Sequence, residues 1–139
     1  MASVTSRFVG VETLENRRLY SATVVPAVHA KVPIPNLVSV FQGTIFYTTG
    51  ATDSVTLSVT KQVGGAFAGE TAQGSGSIGH LTGTVTRAGK VHFVDHGFNV
   101  KFVSTGSGTF ADNTLDLTFR TVEKKEHFSG TVVLNRLIP

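Results

Sequence analysis

From Leu37 onward the hydrophobic pattern has a period of two, and this constrains the fold more than anything else in the chain. Val55, Leu57 and Val59 alternate with Thr56, Ser58 and Thr60; Val91 and Phe93 alternate with His92 and Val94. Phe98, Val100 and Phe102 repeat the pattern, as do Leu115, Leu117 and Phe119, and then Phe128, Gly130, Val132 and Leu134. Strict alternation puts one set of side chains on each face of a strand. Turn signals separate the runs: Thr49-Gly50, Gly64-Gly65, Ala88-Gly89, Asp95-His96-Gly97, Thr105-Gly106, Asp112-Asn113 and the charged run Glu123 to Glu126. The connections are too short for helices. Parallel strands need long crossovers, so the sheet must be antiparallel and mostly a meander. A meander of eight or nine strands that hides its edges closes on itself. The expected fold is all-β: an antiparallel up-and-down barrel of about 8 strands, with a two-sheet sandwich as the alternative.

Glycines inside the runs fit that reading. Gly43, Gly83, Gly108 and Gly130 each sit in a Gly-Thr step followed by an apolar residue. The spacing between them is irregular, which excludes a solenoid repeat. Strand glycines permit sharp bending and close backbone approach, as a small barrel requires.

The first 36 residues differ in character. Residues 6–20 carry a weak helical stripe through Phe8, Val11, Leu14 and Arg18 or Leu19, with Glu12 and Glu15 ahead of Arg17 and Arg18. That order suits the helix dipole, though so short a helix needs a partner surface. Residues 23–36 hold Pro26, Pro33 and Pro35 and read as an extended linker. Val28-His29-Ala30 within it has a weak look of a small-residue cleavage site. The expected organisation is a partly helical segment at 1–22, a Pro-rich linker at 23–36 and the barrel domain at 37–139.

Leu14-Glu15-Asn16-Arg17-Arg18-Leu19-Tyr20-Ser21-Ala22 resembles the LEPR-XLL motif found at the N-terminus of bacterial extracellular proteins. Leu14, Glu15, Arg17, Leu19, Ser21 and Ala22 match it. Asn16 stands in place of its proline and Tyr20 in place of its second leucine. The likeness covers residues 8–22 and implies an export or sorting tag, hence an extracellular or cell-envelope location. It implies nothing about the domain behind it. The β region resembles calycin-like barrels at the level of architecture alone. Ile45 stands where a lipocalin Gly-x-Trp would place its tryptophan, and the chain has no tryptophan for an avidin-type pocket.

Charge argues against a nucleic-acid partner. The sequence carries 12 Lys and Arg against 9 Asp and Glu, but residues 32–139 hold eight of the former and seven of the latter. The basic excess is concentrated in the tail, with no clustered face for phosphates. There is no run of 18 apolar residues to form a transmembrane helix. There are no cysteines, which excludes thiolate chemistry.

The remaining motifs are weak. Gly74-Ser75-Gly76-Ser77-Ile78-Gly79 matches a dinucleotide pattern, but the helix that must follow is missing, so a loop is expected. His92, Asp95 and His96 could ligate a metal, with His80 or His127 completing the set. A turn at Asp95-His96-Gly97 would take His96 off the shared face, so no metal is expected. Asp112 and Asp116 fall in a turn and on a polar face, unsuited to paired-carboxylate catalysis. No serine sits in a nucleophile elbow. The expectation is a non-catalytic domain without a cofactor.

Six phenylalanines, Phe93, Phe98, Phe102, Phe110, Phe119 and Phe128, mark the apolar face. They either fill the barrel or line a cavity for one apolar ligand. Two functions follow. The first is an exported or surface-associated barrel with a structural or interaction role toward an envelope partner. The alternative is a calycin-like barrel that binds a small apolar molecule.

Overall fold

The structure, a computed structural model, describes residues 32–137. Residues 1–31, which carry the tag-like motif at Leu14, Glu15, Arg17, Leu19, Ser21 and Ala22, lie outside them. Eight strands follow in order: β1 Ser39–Tyr47, β2 Thr52–Val63, β3 Ala66–Gln73, β4 Ile78–Val85, β5 Lys90–Gly97, β6 Val103–Ala111, β7 Thr114–Glu123 and β8 Glu126–Arg136. Each pairs antiparallel with the next, and β8 returns to β1 through Gly130↔Tyr47 to Arg136↔Phe41. The sheet is a closed up-and-down barrel, so it presents no free edge to another chain. The sandwich alternative is excluded.

Alternation sorts the side chains as expected. Phe41 and Ile45 of β1, Leu57 and Val59 of β2, and Leu115 and Leu117 of β7 are buried inside. Thr56, Thr82, Thr118 and Thr131 face out from their strands. Full burial of one such Leu or Phe is worth about 1.5–3 kcal/mol.

Two expected turns are corrected. Asp95-His96-Gly97 belongs to β5, and the connection follows it at residues 98–102. Thr105-Gly106 lies inside β6. Gly106 leaves no room for a Cβ, which would collide with the Thr118 carbonyl oxygen of β7 and stand 2.6 Å from the nearest carbon of the Phe93 ring. Close approach, not chain reversal, accounts for that glycine.

One end of the barrel is closed. At Thr60 the β2–β3 register slips by one residue, from Val59↔Gly69 to Lys61↔Ala68. The slip changes the parity of β2 and brings Gln62 opposite inward-facing Phe67. Gln62 Oε1 accepts from Leu37 N at 2.7 Å, and Nε2 donates to Pro35 O at 2.8 Å and Gly64 O at 2.9 Å. These bonds hold Leu37 under the barrel with no exposed surface, while Ile34 packs on the core. The residues Ile34 to Asn36, expected to be linker, therefore belong to the barrel. Arg136 completes the closure. Its guanidinium lies 5.3 Å from the ring centroids of both Phe41 and Phe110 and donates to Asn113 Oδ1 and Asn36 O.

Candidate functional site

The interior changes character along the barrel axis. The closed half is apolar, with Phe41, Phe67, Val85, Val91 and Leu115 in contact. Toward the other end the same inward positions turn polar: Thr71 and Gln73 on β3, Asp95 on β5, Ser104 on β6 and Thr121 on β7. These side chains share a cavity with Leu57, Leu81, Phe93, Leu117 and Phe119. Its volume is about 70 Å³, taken as the space open to the centre of a water molecule. A cleft of about 270 Å³ on the same measure lies over it, and Tyr47, Gln73, Ser104 and Thr121 line both. Phe102, Phe128 and Glu123 form its outer wall. The barrel is thus plugged at one end and open at the other.

Asp95 is the least expected group in this space. Its residue is only 5% exposed. Oδ2 accepts from Thr71 Oγ1 at 2.8 Å, whereas Oδ1 is buried with no hydrogen-bond partner among the described residues. The carboxylate sits over Gly79 of β4, where any Cβ would collide with Asp95 Oδ1 and approach Thr71 Oγ1 to 2.7 Å. Burial pushes the Asp95 carboxyl above the ordinary aspartate value, and the Thr71 bond and the charges of His96 and His80 oppose this. Ser104 and Thr121 satisfy each other through a hydroxyl pair at 2.6 Å. Tyr47 is raised by burial and by the negative charges of Asp53 and Glu123.

The structure separates the six phenylalanines. Phe93 and Phe119 line the inner cavity, while Phe102 and Phe128 line the cleft above it. Phe110 stands at the closed end, edge-on to Phe41 at 6.2 Å. Phe98 departs from the expectation: it is 70% exposed and lies in the 98–102 connection, outside the wall. Asn99 ties that connection to the neighbouring turn, accepting from Ile78 N at 2.9 Å and donating to Gly76 O at 2.8 Å. Phe98 N in turn donates to Ile78 O. These bonds hold the loop outside the mouth.

Spacing groups Asp95 with His92 and His96, and that set does not form. Because β5 runs through residue 97, both histidines point outward, about 13 Å apart at strand rise, while Asp95 points inward. His80 pairs with His96 on the outer surface. Among the described residues no three His, Asp or Glu side chains are placed to hold a metal ion. The inward phase of Asp95 could be read from Val91 and Phe93, four and two residues earlier. The glycine-rich stretch 74–79 is a turn leading into β4, and no helix follows it. Asp112 occupies the β6–β7 turn, and Asp116 is exposed on β7.

These features define a closed, eight-stranded antiparallel barrel with a plugged base and a polar-mouthed cavity. Solved structures share that fold. EF1p2_mFAP2b bound to DFHBI superposes with a TM-score of 0.61 at 12% identity, covering 78% of this chain and 96% of its own. A redesigned beta barrel, mFAP1, bound to DFHBI, gives a TM-score of 0.53 at 14% identity, covering 80% and 100%. No family model and no curated protein matches the sequence. At these identities the likeness concerns the fold alone. Among the described residues no helix is long and apolar enough to cross a membrane.

Proposed function

We propose that this chain is a non-catalytic barrel that binds one small, largely apolar molecule through its open end. The observation carrying this reading is the cavity: the inward face is apolar at its floor, polar at its mouth and continuous with an outer cleft. A purely structural barrel gains more from filling that space with side chains. Small-molecule sites combine an apolar wall with a few placed polar groups. The two barrels of the same fold were solved with a small molecule bound, which supports the reading by analogy. Of the two functions expected from sequence, the cavity favours ligand binding over a structural or interaction role.

The motif at residues 14–22 supports export, so an extracellular or envelope location is part of this proposal. Fractionation of producing cells tests it; recovery of the full chain in the cytoplasm would contradict it. The binding function is tested by native mass spectrometry on protein purified from the producing cell. A reproducible adduct, absent from the denatured mass, is expected. A bare mass that also stays unshifted against a panel of small apolar molecules would overturn the reading.

A further inference from the structure

We propose that the molecule this barrel takes carries a protonated nitrogen, an amine or amidine on an apolar or aromatic body, and that the nitrogen donates to Asp95 Oδ1. The inference rests on the binding function proposed above and names the chemistry of its ligand.

Three observations converge on it. First, Asp95 faces the cavity at 5% exposure with one oxygen bonded to Thr71 and the other without a partner among the described residues. A buried carboxylate oxygen left unpaired is costly, and such groups call for an explanation. Second, the site is shaped around this carboxylate. Gly79 leaves the space in which Asp95 and Thr71 meet, since a Cβ there would run into both side chains. A carboxylate needed merely to fill space would be replaced at lower cost by a leucine beside Leu81 and Phe93. Third, among the described residues no cation lines the cavity or the cleft above it. The Arg136 guanidinium, which reaches over Phe41 and Phe110, is engaged at the opposite end. Glu123 lines the cleft and Asp53 stands beside Ser75 at its rim, and both are negative.

The field of this interior therefore favours a positive ligand and repels an anionic one. The geometry fixes its orientation. Leu57, Leu81 and Leu117 wall the inner cavity beside Asp95, and Phe102 and Phe128 line the larger cleft over it, so the hydrocarbon body extends from the cavity into the cleft. The nitrogen then stands level with Asp95, where Ser104 and Thr121 offer further acceptors. A charge-assisted N–H···O bond in so dry a site is stronger than a neutral one.

The test uses three probes of matched body on the full chain: phenethylamine, 2-phenylethanol and 3-phenylpropanoate. Binding is followed by methyl NMR at Leu81, Leu117 and Val132. The amine should bind about tenfold or more tighter than the alcohol, the range expected of a hydrogen bond to a charged group, and the carboxylate weakest. In Asp95→Asn the advantage of the amine over the alcohol should vanish. In the unmodified protein the same advantage should shrink as pH falls and Asp95 takes up its proton. The groups facing Asp95 from neighbouring strands, Thr71, Ser104 and Gly79, do not titrate in that range. His80 and His96 lie on the outer surface of the wall, and Glu123 and Tyr47 at the mouth. If the alcohol binds and the amine gains nothing, or keeps its gain in Asp95→Asn, the ligand inference falls and the binding function stands. If none of the three shifts the interior methyls, both fall.

Discussion

Asp95 is where this chain departs furthest from what its own fold would select. A carboxyl whose folded pKa is raised above its unfolded value holds its proton more tightly in the folded state. Between the two values the native chain binds more protons than the unfolded one, so stability falls as pH rises through that window. Above it the full penalty remains. Asp95→Asn removes the penalty, since the amide oxygen still accepts from Thr71. The variant is expected to match the parent at acid pH and to exceed it in denaturation midpoint at neutral pH. An unchanged gap between the two across the whole range would refute this account of Asp95. A second residue shows backbone strain without evident purpose. Lys124, in the β7–β8 turn, has φ of 58°, a region that costs a side-chain-bearing residue about 1–2 kcal/mol. Lys124→Gly should stabilise the protein by about 0.5–1 kcal/mol in urea titrations.

At the scale of elements, the plug is the part whose energetics are most exposed to test. Leu37 is fully buried and held by Gln62, which reaches it only because β2 slips register at Thr60. Leu37→Ala should cost about 2–5 kcal/mol in chemical denaturation, as for other buried leucines. A loss below about 0.5 kcal/mol would mean that the plug is not part of the cooperative unit. This element also marks where sequence reading ran short. Period-two alternation fixes which residues of β1, β5 and β7 face inward, because parity is local. It cannot register a bulge, since Thr60-Lys61-Gln62 is polar on both phases and the slip shows only in the pairing with β3. Nor could the linker residues Ile34 to Asn36 be assigned to the barrel: their partners are Gln62 and Arg136, the latter 100 residues away. The turn at Asp112-Asn113 was legible because positive φ at both positions, 51° and 63°, suits Asp and Asn. The glycines misled at Thr105-Gly106, where the same residue type serves ring packing instead of a turn.

For the whole molecule, the division of the interior matters most. The closed half supplies the stability, through a packed apolar base sealed by the plug and by Arg136. The open half carries groups that a stability-driven interior would not retain. The split was only partly legible in sequence. Phe93, Phe110 and Phe119 all fall on the inward phase, but which end of the barrel each occupies depends on the stagger of eight strands. The Asp95-His96-Gly97 tripeptide reads as a turn in sequence, although Asp95 follows Val91 and Phe93 in phase. Once it is placed inward, the cavity acquires a polar anchor.

The most direct test of a ligand-binding interior is to fill it. Val132 of β8 lines the cavity, and Val132→Phe directs a ring into the open space without touching the outer surface. A neutral, environment-sensitive naphthalene dye is titrated into both proteins, with the melting temperature of each measured alongside. We expect saturable binding to the parent, and its loss in a variant that stays folded. Equal binding by both would place the dye outside the barrel, and no binding by the parent would contradict the account at its centre.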